Sequence, residues 1–128
     1  RAALEQVGLS DKSSALALGL SHGEHRQLEI AMALATAPKL LLMDEPTSGM
    51  GPSESQQLVA LLRRVRARHT ILLVEHDMDV VFSLADRITV LDNGRSLASG
   101  PPEMIRANEA VRVAYLGSAA AKGFRTNA

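Results

Sequence analysis

The stretch Leu40-Leu41-Leu42-Met43-Asp44-Glu45-Pro46 decides how the rest of this chain folds. Four apolar residues run directly into two adjacent carboxylates and then a proline. A short unbroken apolar run reads as a strand buried on both faces, as in a parallel sheet. Pro46 has no N–H to give to a ladder, so the strand is expected to stop there. Asp44 and Glu45 then stand at the C-terminal end of a central strand, where open α/β sheets keep their ligands. An acid in that place can hold the magnesium that accompanies a phosphate group. A second acid directly after it can take a proton from an attacking water. A strand followed by an acidic turn explains the seven residues equally well, so their surroundings have to decide.

Upstream, Leu20-Ser21-His22-Gly23-Glu24-His25-Arg26-Gln27 opens a helix. Ser21 is a natural N-cap, and Glu24 stands three residues later, the spacing of a capping box. Gln27, Leu28, Ala31, Leu34 and Ala35 follow with helical periodicity, and Pro38 ends the run. Ser21, Gly23 and the free N–H groups of such a helix start can form an anion site. An ordinary capped amphipathic helix is the simpler reading. Before it, Arg1 to Val7 reads as a helix closed by Gly8. Residues 9–19 carry the turn formers Ser10, Asp11 and Ser13 and favour no single element.

Downstream, Thr47 to Gly51 is a small-residue loop, and Pro52 suits the first position of a helix. Leu58, Leu61, Leu62 and Val65 give that helix one apolar face. Arg63, Arg64, Arg66 and Arg68 crowd its end, a solvated face that complements the helix dipole. Thr70 to Val74 reads as a second buried strand, ending at Glu75-His76-Asp77. Asp77 is placed to cap a helix through Val80, Val81 and Leu84. His76 stands at a strand end, on the expected ligand edge. Asp92-Asn93-Gly94-Arg95 between two strand-like runs, 88–91 and 96–99, is a hairpin signal. Pro102 starts a short helix to about Ala107, and Asn108 caps another to Leu116, closed by Gly117. Residues 118–128 read as a loose tail. Two strands joined by a helix are expected to pair in parallel. The class is α/β.

The bulk composition narrows the function. The chain has 128 residues, enough for one domain with a core. Its 14 basic and 14 acidic residues balance, so nucleic acid is not the expected partner. Aromatic residues are only 2%, which disfavours a stacking box. Cysteine is absent, which removes disulfides and thiolate metal sites. No apolar run has membrane-spanning length.

With these residues in place the sequence resembles the ATP-binding subunits of ABC transporters. Leu20-Ser21-His22-Gly23-Glu24 looks like the family's signature motif, usually LSGGQ. Leu40 to Asp44 looks like the Walker B strand, and Glu45 like its catalytic glutamate. Ser48-Gly49-Met50-Gly51 stands where the D-loop belongs, and His76 where the switch histidine belongs. The motifs come in the family's order over Leu20 to Gly117, with Arg1 to Gly19 matching loosely. Leu28-Glu29-Ile30-Ala31, Gly49-Met50, and the ending from Pro102 to Gly117 look closest to the branched-chain amino acid transport subgroup. The urea-transport subunits look similar.

The resemblance implies the C-terminal half of an ABC-type phosphate-loop NTPase domain, with parallel strands, flanking helices and a C-terminal hairpin. It divides the chain into residues 1–39, the end of a helical subdomain with the signature helix; 40–100, the Walker B strand, D-loop, switch strand and hairpin; and 101–117, a helical extension. It implies ATP and Mg2+ as cofactors, with Asp44 on the metal, directly or through water. Glu45 would polarise the attacking water, and His76 would contact the γ-phosphate. Ser21, Gly23 and Glu24 would serve the ATP of a second ATP-binding subunit, with Gly49 and Gly51 in the D-loop between the two. Transmembrane permease subunits, an indirect link to a substrate-binding protein, and a peripheral place on the cytoplasmic membrane face follow from the same likeness. Three departures stand out. His22 and Glu24 replace the signature's usual glycine and glutamine, and Gly51 stands where an aspartate is common. No G-x-x-x-x-G-K-[ST] occurs, so the main phosphate cradle is missing from these residues. The expectation is that this loop precedes Arg1, and that the chain by itself does not hydrolyse ATP; the alternative reading is a non-catalytic remnant that only dimerises or docks.

Overall fold

The computed structural model describes residues 1–116, which form two units, Arg1–His76 and the residues from Asp77 onward. In the first unit, β1 (Leu40–Asp44) and β2 (Thr70–Val74) pair in parallel. The crossover between them is α3 (Pro52–Arg66). Their register sets Leu42 beside Leu72 and Asp44 beside Val74. His69 Nδ1 lies 3.3 Å from the Pro38 carbonyl and joins the entries to the two strands.

α3 forms as its residues dictate. Pro52 opens it, the Glu54 carboxylate accepts the Gly51 N–H at 3.2 Å, and Leu58, Leu61, Leu62 and Val65 are all buried. Its terminal arginines lie on the exposed side. α1 (Ala2–Val7) ends at Gly8, whose φ of 78° is the left-handed cap that glycine adopts without strain. Residues 9–19 resolve into two short 3-10 turns, Ser10–Lys12 and Ala17–Gly19. α2 (His22–Ala35) packs on α1 and touches α3. Its buried stripe is Ile30, Ala31 and Leu34. Ala35, expected on that stripe, is exposed because the helix ends there.

The strands differ from expectation in one respect. β1 and β2 are not buried on both faces. Residues two apart share a face, and the face carrying Leu40, Leu42, Asp44, Thr70, Leu72 and Val74 is exposed throughout. Leu41, Met43, Ile71 and Leu73 turn the other way, and Leu41 is fully covered. The cause is the two-stranded sheet itself: among the described residues of this unit no element lies over the outer face.

In the second unit Asp77 caps α4 (Met78–Leu84), accepting the N–H groups of Asp79 at 3.0 Å and Val80 at 3.3 Å. β3 (Ile88–Asp92) and β4 (Arg95–Gly100) form the expected antiparallel hairpin. Asn93 and Gly94 both have positive φ, 47° and 75°, as a tight two-residue hairpin turn requires. α5 (Pro102–Ala107) and α6 (Glu109–Leu116) follow, with Asn108 Oδ1 accepting the Val111 N–H at 3.1 Å. Ile88, Val90, Ile105 and Val111 make this unit's core, and the Arg106 guanidinium lies 4.1 Å over the Phe82 ring. The expected closure at Gly117 and the tail at 118–128 fall outside the described residues. Among those described, no helix is long and apolar enough to cross a membrane.

The two faces of the first unit predict opposite responses to truncation. Leu61→Ala, at a side chain 1% exposed, should lower stability to urea by about 2–5 kcal/mol. Leu42→Ser, at a side chain 70% exposed, should change stability by no more than about 0.5 kcal/mol. It should also weaken the binding of a hydrophobic dye to the outer strand face.

Candidate functional site at the strand ends and the α2 N-terminus

Parallel pairing delivers the ends of β1 and β2 to one edge. The Glu45 N–H donates to the Val74 carbonyl at 2.8 Å, extending the ladder one residue past Asp44. Glu45 then takes a φ of 43°. That left-handed backbone is uncommon for a residue with a side chain. Pro46 contributes, since a residue before proline is pushed away from right-handed helix. The Ser48 N–H returns to the Glu45 carbonyl at 3.0 Å, and the Met50 N–H to that of Thr47 at 3.1 Å. The loop after β1 is thus a succession of tight turns.

This turn brings the Glu45 carboxylate to His76. Glu45 Oε1 lies 3.3 Å from His76 Nδ1, with the side chains 47% and 72% exposed. Both groups are open to a ligand. Asp44, at the end of β1, is also exposed. Sequence reasoning did not assign a role to Glu75, which is the best-held group at this edge. Its side chain is 0% exposed. Glu75 Oε1 accepts the Thr47 N–H at 3.2 Å and also accepts from the Thr47 hydroxyl. Glu75 Oε2 accepts the His76 N–H at 3.1 Å. A carboxylate directly before a histidine at a strand end was the available signal, but its inward orientation depends on the loop that meets it.

The second cluster is the start of α2. The capping box is complete: Ser21 Oγ accepts the Glu24 N–H at 3.3 Å, and Glu24 Oε2 accepts the Ser21 N–H at 2.9 Å. Glu24 Oε1 meets the Lys12 ammonium at 2.6 Å. The hydrogen bond from Lys12, then that from the Ser21 N–H, hold the Glu24 carboxyl below its ordinary value. The hydrogen bond to Glu24 and its charge raise Lys12. Glu24, placed by sequence among groups facing a nucleotide, therefore also serves this cap and ion pair. Gly23 and Gly49 adjoin other groups: a Cβ on Gly23 would stand 3.6 Å from Glu54 Oε1, and one on Gly49 3.8 Å from His22 Nε2. Gly49 has a φ of 76°, so a side chain there would be strained. Gly51 serves as the N-cap of α3.

Among the described residues, no three His, Cys, Asp or Glu side chains form a cage. An exposed carboxylate such as Asp44 suits a magnesium ion that keeps its waters and takes its other ligands from phosphate.

Parallel strand ends that carry paired acids and a histidine, preceded by a capped Ser-x-Gly helix, are the arrangement that the resemblance to nucleotide-binding proteins leads one to expect. Comparison with known proteins agrees. The family model described as ABC transporter matches residues 1–48, and that described as branched-chain amino acid ATP-binding cassette transporter matches residues 95–121. The fold is similar to the ADP conformation of MJ1267, an ATP-binding cassette of an ABC transporter. The TM-score is 0.80 at 30% identity, covering 91% of this chain and 48% of that one. The cbiO1 structure from Clostridium perfringens, part of the ABC transporter complex cbiONQ, gives 0.76 at 28% identity over 93% and 48%.

By these matches the chain is similar to the ATP-binding subunits of ABC transporters. It is 45% identical to the high-affinity branched-chain amino acid transport ATP-binding proteins BraF of Pseudomonas aeruginosa and LivG of Escherichia coli K12, over 91% of its length. It is 48% identical, over 77% of its length, to the methionine import ATP-binding protein MetN 1 of Rhodococcus jostii, of which it covers 30%. The chain spans 46% of BraF and of LivG, about half the length of the curated relatives it matches.

The Lys12–Glu24 pair predicts a pH response at the α2 cap. A lowered carboxyl contributes stability that is present above its ordinary 4.5 and lost as pH falls through the depressed value. Lys12, raised above 10.5, contributes below that pH and loses its part only as pH climbs through the raised value. Both groups face solvent, so salt should weaken the pair. An NMR titration of the Glu24 carboxyl should show its midpoint moving up toward 4.5 in Lys12→Met, and in the same direction at high salt.

Proposed function

We propose that this chain supplies the signature helix and the hydrolytic edge of an ATP-hydrolysing subunit in an importer for branched-chain amino acids. One observation carries the reading: Glu45 and His76 meet at 3.3 Å where β1 and β2 end, beside Asp44. Catalysis at such an edge is mostly positioning and charge stabilisation. Asp44 would hold magnesium, which supplies charge neutralisation to the phosphates when bound. Glu45, exposed and turned toward His76, is placed to accept a proton from water. His76 presents a ring nitrogen to the same space and would contact the terminal phosphate.

At the other cluster, Ser21 and Gly23 would serve a nucleotide held by a second ATP-binding subunit. The Ser21 hydroxyl accepts within its own helix, and a hydroxyl can still donate outward. Glu24 brings a negative charge to that helix start, and the Lys12 ammonium at 2.6 Å offsets it. Gly49 and Gly51 form the loop between the clusters. Closure on ATP and opening after hydrolysis would drive transmembrane permease subunits from the cytoplasmic side. The match of residues 95–121 to the branched-chain family, together with BraF and LivG, favours branched-chain amino acids over the methionine that MetN 1 is named for.

The 128-residue chain carries no phosphate loop, and by itself it should show no magnesium-dependent ATP turnover in a phosphate-release assay. Joined to the N-terminal half of BraF, it should turn over ATP. In that chimera Glu45→Gln should cut kcat by about 10²–10⁴ while ATP still binds. A variant retaining parental kcat would remove Glu45 as the base.

Service in trans has its own test in the chimera. Subunits carrying Ser21→Arg, mixed with subunits whose supplied phosphate loop is broken, should recover activity that neither has alone. Each mixed dimer then holds one intact site. No recovery in verified mixed dimers would leave Ser21 as a helix cap, a role worth about 1 kcal/mol.

A further inference from the structure

We propose that Glu75 is a positioning residue: its buried carboxylate fastens the loop after β1 to the end of β2 and thereby sets the Glu45–His76 pair. The inference deepens the proposed function and rests on it for the importance of that pair. The fastening itself is argued from the geometry.

A carboxylate with no exposed surface must have its charge and lone pairs met by donors. At Glu75 the donors come from two directions. Oε1 takes the N–H and the hydroxyl of Thr47, on the loop leaving β1. Oε2 takes the N–H of His76, on the chain leaving β2. The oxygens thus hold separate strand ends.

The held residues bracket the reactive pair. Thr47 lies two residues after Glu45, and the Glu45 N–H is already fixed to Val74 at 2.8 Å. Glu45 is therefore pinned on both sides, and this sustains its left-handed backbone at φ 43°. Such a conformation persists only where its surroundings over-determine it. His76 is held at its own N–H. The 3.3 Å contact between two exposed side chains, Glu45 and His76, rests on these held backbones, and His76 Nδ1 also lies 3.9 Å from Glu75 Oε2, so the enclosed carboxylate faces the ring directly as well. Glutamine keeps the shape of glutamate but has one acceptor oxygen and an NH2 group that only donates. It can serve Thr47 or the His76 N–H, and it must turn a donor toward the other.

The test is amide hydrogen exchange and His76 ring-nitrogen chemical shifts, measured by NMR on the 128-residue chain. Glu75→Gln should speed exchange about tenfold or more at one of the Thr47 and His76 amides and not at both. Glu75→Ala should speed it at both. The Leu42 and Leu72 amides should keep their protection, and the His76 ring signals should move in both variants. If the isosteric Gln variant left both amides and the ring signals unchanged, Glu75 would only fill space and the proposal would fall. It would fall equally if the amides responded while the ring signals stayed put, since the fastening would then not set the pair. Thr47→Val removes a fastening hydrogen bond but leaves the Glu75 carboxyl beside the ring, and it too should move the His76 ring signals. An unmoved ring in this variant would trace the Gln and Ala shifts to the 3.9 Å contact alone and overturn the proposal. This arm stands even if the Ala variant does not fold. None of the measurements uses nucleotide. An inactive chimera would count against the proposed hydrolysis and leave the role of Glu75 standing.

Discussion

Parallel pairing of β1 with β2, in the register that sets Asp44 beside Val74, is the constraint on which the first unit depends. In a parallel pair both strands end on the same side, so the residues after them share one edge. Here those residues are Glu45 after one strand and Glu75 and His76 after the other. A shift of register by one residue would turn every side chain to the opposite face. Asp44 would leave the exposed face, and Leu41 would leave the core. The α3 crossover, whose apolar face is buried at four positions, holds the pairing in place.

Three carboxylates crowd that edge, and the fold gives them different surroundings. Asp44 and Glu45 are open to water, while the Glu75 side chain is enclosed. An enclosed charge is useful only where donors converge, and the donors here are backbone groups that need fixing in any case. An exposed charge is free to meet a ligand. The same division recurs at the α2 start. Glu24 is consumed by the Ser21 N–H and the Lys12 ammonium.

The outer face of β1 and β2 sets the unit apart from a finished sheet. Leu40, Leu42, Leu72 and Val74 are all exposed there. Burial of apolar area is the main favourable term in folding, so this unit draws its stability chiefly from α3 and from the α1–α2 contact. Relatives such as BraF and LivG are about twice as long as this chain. Their additional length is the reason the activity is best tested in a chimera.

Much of this was legible in the residues because it depends on local chemistry. Ser21 and Glu24 specify a capping box within four positions, Asn93-Gly94 specifies a tight turn, and Pro52 with the Leu58–Val65 spacing specifies α3. The motif order was enough to indicate the family. The sequence misled where burial was inferred from composition. An apolar run such as Leu40 to Met43 is compatible with a strand covered on both faces, but coverage depends on neighbours that the run does not encode. Only the tertiary structure decided which carboxylates are enclosed. Glu75 and Glu45 are both acids at strand ends, 30 positions apart by number. Nothing local separates them. One turns inward because Thr47 arrives with two donors, and the other is carried outward by a left-handed backbone. Contacts of that kind form only once parallel pairing has brought distant stretches together, so their partners cannot be read from either stretch alone.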